Sequence, residues 1–142
     1  MRIVLDTNVV LSALLWRGTP YRLLQSIRSN RQIVLFSSAA LLTELAEVLA
    51  RPMSARRLAL IGRATPDVLL EYIDAIELVE PAAVPRVVAA DTDDDQVVAA
   101  AVAAQADLIV TGDRDLLALG SHGELSIVTP ADALRMVATA AS

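Results

Sequence analysis

The sequence predicts an α/β fold with a parallel sheet covered by helices on both faces. Two observations carry this. Short runs at 2–6, 33–36, 108–111 and 126–128 have apolar, partly β-branched centres (Ile3-Val4-Leu5, Ile33-Val34-Leu35-Phe36, Leu108-Ile109-Val110, Ile127-Val128) that are continuous rather than alternating, the pattern of strands buried on both sides. Between them lie longer stretches with helical periodicity, and strands alternating with helices build parallel sheets through right-handed crossovers.

In chain order, residues 2–6 read as a buried strand, and Asp6-Thr7-Asn8 opens a helix through Leu15 that Trp16-Arg17-Gly18 breaks. A second helix is expected from Thr19-Pro20 to about Ser29, with Thr19 as N-cap and Pro20 at the first helical position. The same Thr-Pro start signal recurs at Thr65-Pro66 and Thr129-Pro130. After a strand at Ile33–Phe36, Ser37-Ser38 caps a helix to about Ala50 that Arg51-Pro52 ends. Ser54–Ile61 is a further helix, stopped by Gly62. Pro66–Glu77 follows, with Val68, Leu69, Tyr72, Ile73 and Ile76 at helical spacing. Leu78–Pro81 is extended, and residues 81–93 read as a loop. A helix from Asp94 or Asp95 to about Ala104 leads into a strand at Leu108–Thr111, and a turn at 112–115 into a short helix ending at Gly120. The strand at Ser126–Val128 and a helix at Pro130–Val137 complete the chain, with residues 138–142 as a frayed tail.

The 142 residues suit one domain, with a core over about 2–138. Hydrophobic residues make up 55% and aromatics 3%, so the core is built from Ala, Val, Leu and Ile rather than rings, far from a disordered composition. No apolar run reaches the roughly 18 residues of a membrane span. The acid at position 6 interrupts the first apolar run, unlike a secretory signal. With no cysteine, disulfides and thiolate metal sites are excluded. These features fit a cytoplasmic protein.

The net charge of −5 argues against a nucleic-acid partner only until its distribution is read. Residues 1–65 hold nine Arg and three acids, +6; residues 66–142 hold three Arg and fourteen acids, −11. Every basic residue is Arg, whose planar fork matches phosphate. Arg51, Arg56 and Arg57 are candidate RNA contacts, with an ordinary solvated helix face as the competing reading.

In open parallel sheets, ligands bind beyond the carboxyl ends of the strands. Asp6 falls at one such end and Asp113 and Asp115 at another. Asp94 and Asp95 begin the helix feeding the second strand, on the same edge, where its dipole favours negative charge. Glu44 lies mid-helix among Leu41, Leu42, Leu45 and Val48. Like charges a few ångströms apart repel by about 4 kcal/mol per pair at an effective dielectric of 20, so such a cluster takes up protons or a cation. Mg²⁺ or Mn²⁺ suits all-oxygen ligands, and such ions activate water and clamp phosphodiester oxygens without help from Cys or His. Each acid also has a structural reading: Asp6 as a cap, Glu44 as a solvated or Arg-paired residue, the 91–95 run as a solvated turn, and Asp115 as the cap of the helix after it.

Other motifs fail on their own terms. Asp91, Asp93 and Asp95 mimic the start of a calcium loop, but Gln96 stands where Gly is needed and Val102 where Glu is needed. An aspartyl-phosphate loop lacks its second carboxylate, here Asn8, and its Lys. There is no Walker-type loop and no nucleophile elbow to go with His122, which reads as a surface turn residue. Trp16 and Tyr21 read as local packing.

Leu5-Asp6-Thr7-Asn8-Val9, Glu44 after Ser37-Ser38, the run Asp91–Asp95, and Val110-Thr111-Gly112-Asp113-Arg114-Asp115-Leu116-Leu117 together resemble the PIN domain. The likeness is to bacterial VapC-like toxin components of toxin–antitoxin systems, and it runs over residues 2 to 138. It implies an α/β/α sandwich and a Mg²⁺- or Mn²⁺-dependent endoribonuclease. By position Asp6 is the first metal carboxylate and Glu44 the second, with Thr7 and Asn8 in support. The third is Asp95 by the usual spacing before Asp113, or Asp94 by an Asp-x-x-Asp run. Asp113 is the fourth, with Thr111 and Asp115 as neighbours. The resemblance further implies a homodimer and a small antitoxin partner. A DNA nuclease, or a PIN-like binding module without catalysis, is the alternative.

Overall fold

A computed structural model describes residues 1–82 and 92–140, with side chains from 95 onward in the second segment. The elements are β1 (Arg2–Leu5), α1 (Thr7–Leu15), α2 (Thr19–Arg28), β2 (Val34–Ser38), α3 (Ala39–Leu49), α4 (Pro52–Leu60), α5 (Thr65–Ala75), β3 (Ile76–Val79), α6 (Thr92–Ala103), β4 (Leu108–Val110), α7 (Arg114–Leu119), β5 (Ser121–His122), β6 (Leu125–Val128) and α8 (Pro130–Ala140).

The six strands form one sheet in the order β3-β2-β1-β4-β6-β5. All neighbours are parallel except β5, which is antiparallel to β6. The strand period of two divides the core by face. Ile3, Leu5, Leu35, Leu108 and Val110 point into one cluster, with residues of α1, α2, α4, α5 and α8. Val4, Phe36, Ile109 and Ile127 point into the other, with α6 and Leu116 of α7. The molecule is therefore a three-layer α/β/α sandwich, as expected. Helix α3 serves both layers: Leu45, Val48 and Leu49 join the first cluster and Leu41 the second. In α6, Val97, Val98 and Ala99–Ala101 are all buried, so the helix is covered all round over these residues, before Val102 and Ala103 emerge to solvent.

Several expectations are corrected locally. The N-caps of α2 and α5 are Gly18 and Ala64, not the threonines. Thr19 and Thr65 begin the helix proper, each with its Pro one residue further in, and Thr19 Oγ1 instead accepts from Arg22. Only Thr129 caps as expected, accepting from the Asp132 backbone N–H at 3.2 Å. Ser38 also caps α3, accepting from Leu41 N–H. Helix α4 starts at Pro52, earlier than Ser54, and α6 starts at Thr92, earlier than Asp94. Helix α5 gives way to β3 at Ile76, and α8 continues to Ala140 through part of the expected tail. His122 lies in β5, a strand not expected from the sequence. The loop expected at 81–93 falls mostly on residues 83–91, outside the described residues. Among the described residues no helix is long and apolar enough to cross a membrane.

Candidate active site

The carboxyl ends of β1, β4 and β6 are level, because Leu5 pairs with Val110 and Val110 with Val128. The chain continues this alignment one residue further. Asp6 N–H donates to Val110 O at 2.9 Å, and Thr111 N–H to Val128 O at 3.0 Å. Asp6 and Thr111 are thereby set side by side at the sheet edge by backbone pairing alone.

Their side chains meet there. Thr111 Oγ1 donates to Asp6 Oδ2 at 2.6 Å, with Thr111 fully buried and Asp6 only 6% exposed. The same hydroxyl oxygen accepts from Asp113 N–H at 3.0 Å. One hydroxyl thus ties the end of β1 to the turn that carries Asp113. This bond anchors Oδ2 of Asp6 at the strand end.

Asp6 stands at the N-cap position of α1, but its side chain makes no capping hydrogen bond. Its backbone carbonyl accepts from Val9 and Val10, so the backbone starts the helix while the carboxylate is turned to the edge. Thr7 is buried beside it and Asn8 is exposed. Asp113 is the cap of α7: its Oδ1 accepts from Asp115 N–H at 2.8 Å and from Leu116 N–H at 3.1 Å. The cap expected of Asp115 belongs to Asp113, and Asp115 is an exposed residue of the first turn.

Glu44 is half-buried on α3 and lines an open depression of about 380 Å³ with Thr43, Glu47, Arg51 and Gln96. Gln96 follows Asp95, so the depression joins α3 to the first turns of α6. Asp95 is buried, at 1% exposure. The Asp94 side chain lies outside the described residues. Gln96 was not among the expected site residues, and a neutral amide in an acidic run gave no pattern by which to find it.

The three candidate arginines do not share one face. Arg51 borders the Glu44 depression. Arg56 is exposed. Arg57 turns inward, donating from Nε to Leu15 O at 2.9 Å and lying 4.0 Å from the centre of the Trp16 ring.

The donor set at the edge is oxygen throughout, which fits a hard divalent cation and no soft one. Among the described residues no three acidic or imidazole side chains converge on one point. Mg²⁺ needs little convergence, since it is commonly held by one or two carboxylates with water completing its shell.

A parallel sheet sandwiched by helices, with acids at the carboxyl ends of its central strands, is shared by many α/β proteins of different function. Comparison with known proteins narrows it. Residues 2–115 match the family model described as PIN domain, and the chain belongs to that family. A solved chain of VapBC2 from Rickettsia felis, bound to a DNA fragment from their promoter, superposes with a TM-score of 0.64 at 15% identity, over 91% of this chain and 98% of that one. No curated protein matches the chain significantly.

Proposed function

We propose that this protein is a Mg²⁺- or Mn²⁺-dependent endoribonuclease that hydrolyses RNA phosphodiester bonds, and the toxin of a toxin–antitoxin pair. The observation that carries the reading is the buried Asp6 carboxylate, fixed by Thr111 at the strand ends in a chain of the PIN family. The oxygen-only donors at this edge suit a hard divalent cation. The similarity in fold to VapBC2 supports an antitoxin partner.

Asp6, Glu44, Asp113 and one or both of Asp94 and Asp95 would hold the ion. When bound, it supplies charge neutralisation for the phosphodiester and a water acidic enough to serve as nucleophile at neutral pH. The chain's own groups do the positioning. Thr111 steadies Asp6 by donating to Oδ2. Asp113 keeps Oδ1 on the α7 cap, so its remaining oxygen is presented in a fixed direction. Glu44 approaches from α3, on the side of the first turns of α6. RNA contact falls to Arg51 and Arg56. Cytoplasmic location and homodimer formation belong to the same proposal.

The test is incubation of a structured RNA with Mn²⁺ or Mg²⁺, beside an EDTA control, a matched DNA, and the Asp6→Asn variant. Cleavage of RNA that requires metal and vanishes in Asp6→Asn is the expected result. Preferential cleavage of the DNA would move the reading to a DNA nuclease. No cleavage of several RNAs, with no metal binding, would make the chain a binding module.

A further inference from the structure

Away from the carboxylate edge, the end of α1 opens into a pocket of about 230 Å³ between α1, α2, α4 and α5. A helix rises about 1.5 Å per residue, so this pocket stands roughly 12 Å along α1 from Asp6. Its walls carry Trp16, Tyr21, Arg17, Arg28, Arg57 and Arg63, with Glu71 as their one acid among the described residues. Glu71 is paired with Arg63 at 2.5 Å. Among the described residues no carboxylate pairs with Arg17, Arg28 or Arg57.

Both rings are already organised by guanidinium groups. Arg57 covers one face of Trp16 at 4.0 Å and is pinned by its bond to Leu15 O. Arg17 lies 4.8 Å from the Tyr21 ring centre and donates to Tyr21 Oη at 2.9 Å. Trp16 remains 52% exposed, so part of its indole is open to a ligand. Both rings and the four arginines lie in residues 1–65, which carry net +6, while residues 66–142 are acidic.

We infer that this pocket is a second nucleic-acid contact, taking one nucleotide of a single-stranded RNA whose base stacks on Trp16 and whose phosphate meets Arg17 and Arg28. Aromatic faces beside unpaired arginines are how single strands are held without sequence readout. A purely acidic peptide would meet the arginines but brings no ring to stack on the open indole. The pocket is too small for a duplex. It rests on the ribonuclease reading only for the identity of the strand, and it would anchor RNA at a distance from the carboxylate edge.

Trp16 is the sole tryptophan, so its fluorescence reports on this pocket directly. The experiment titrates full-length Asp6→Asn protein in EDTA with an oligouridylate of ~10 nucleotides, within the site sizes of single-strand binders. Quenching of Trp16 emission is expected. Arg17→Ala and Arg28→Ala should weaken binding, and each phosphate no longer neutralised should lower the salt slope by about 0.7. Trp16→Ala, followed by anisotropy of a labelled oligonucleotide, should bind roughly tenfold more weakly or worse, and Trp16→Phe should restore part of that affinity. Circular dichroism of each variant separates a weakened grip on RNA from a damaged fold. Absence of quenching, quenching untouched by the arginine variants, or equal quenching by polyglutamate overturns the inference. RNA cleavage by the wild type without quenching would remove the pocket and leave the nuclease. Quenching without cleavage would do the reverse.

Discussion

At the scale of single residues, the site depends on one hydroxyl. Thr111 is fully buried and serves both Asp6 and the Asp113 backbone. Thr111→Val keeps the shape and removes the donor, so it should cost about 1–3 kcal/mol by denaturant titration. It should also depress metal-dependent cleavage, whereas Thr111→Ser should retain most of both. Asp113 has two roles that substitution can separate. Asp113→Asn preserves a side-chain oxygen for the α7 cap, so it should leave stability nearly unchanged while cleavage falls. Asp113→Ala should remove the cap as well, at about 1 kcal/mol. Equal stability of the two variants would show that the cap contributes nothing. Asp107 provides a contrast at the other end of the same strands. Its Oδ2 accepts from Arg2 N–H at 2.8 Å, and its backbone N–H donates to Arg2 O at 2.7 Å, so this acid is committed to the fold. Position along the strands, rather than acidity, distinguishes it from Asp113.

At the scale of elements, strands and most helices were legible because their signals are local. Continuous apolar runs marked β1, β2, β4 and β6, and Ser38 marked α3. The Thr-Pro pairs marked three helix starts correctly to within a residue but misassigned two caps, because cap geometry depends on backbone conformation before the helix. Thr129→Ala should therefore cost about 1 kcal/mol, while Thr19→Ala and Thr65→Ala cost less than half of that, measured by thermal or urea unfolding. The missed strand β5 is two residues long and joins β6 through Gly123-Glu124. Gly123 has φ of +65°, which suits the first central position of a two-residue hairpin. That Gly-x signal was present, but two residues carry no periodicity to support it. The end of α6 shows the opposite case. Gln105 holds φ of 52° where glycine is usual, and Ala106 N–H returns to Ala101 O. Gln105→Gly should relieve left-handed strain and stabilise the protein by up to about 1 kcal/mol.

At the scale of the whole molecule, the sheet joins residues far apart in sequence, which is why the site was legible only in outline. Asp6 and Thr111 are 105 positions apart, and strand order decides that they touch. The sequence marked both as edge residues, but no local pattern shows that one hydroxyl serves Asp6 and the Asp113 turn together. The arginine–aromatic pocket escaped for a similar reason: Arg17 and Tyr21 are four apart, but Arg57 arrives from another helix. The two cores predict similar responses to truncation. Leu23→Ala in the first and Leu116→Ala in the second, both at 0% exposure, should each cost about 2–5 kcal/mol, within the range of buried leucines. Burial also pushes the Tyr72 phenol well above the ordinary tyrosine range. Its neutral form is favoured in the fold, so stability should be intact below pH about 10 and decline above it as the unfolded chain ionises. Tyr72→Phe should reduce that alkaline decline.

The central claim is that the carboxyl edge of this sheet holds a divalent ion through Asp6. Calorimetric titration of Mn²⁺ into the wild type and into Asp6→Asn, both checked for unchanged circular dichroism, tests it most directly. The account predicts saturable heat in the wild type that disappears or shifts to much weaker affinity in Asp6→Asn. Identical isotherms for the two proteins, or no binding by either, would contradict it.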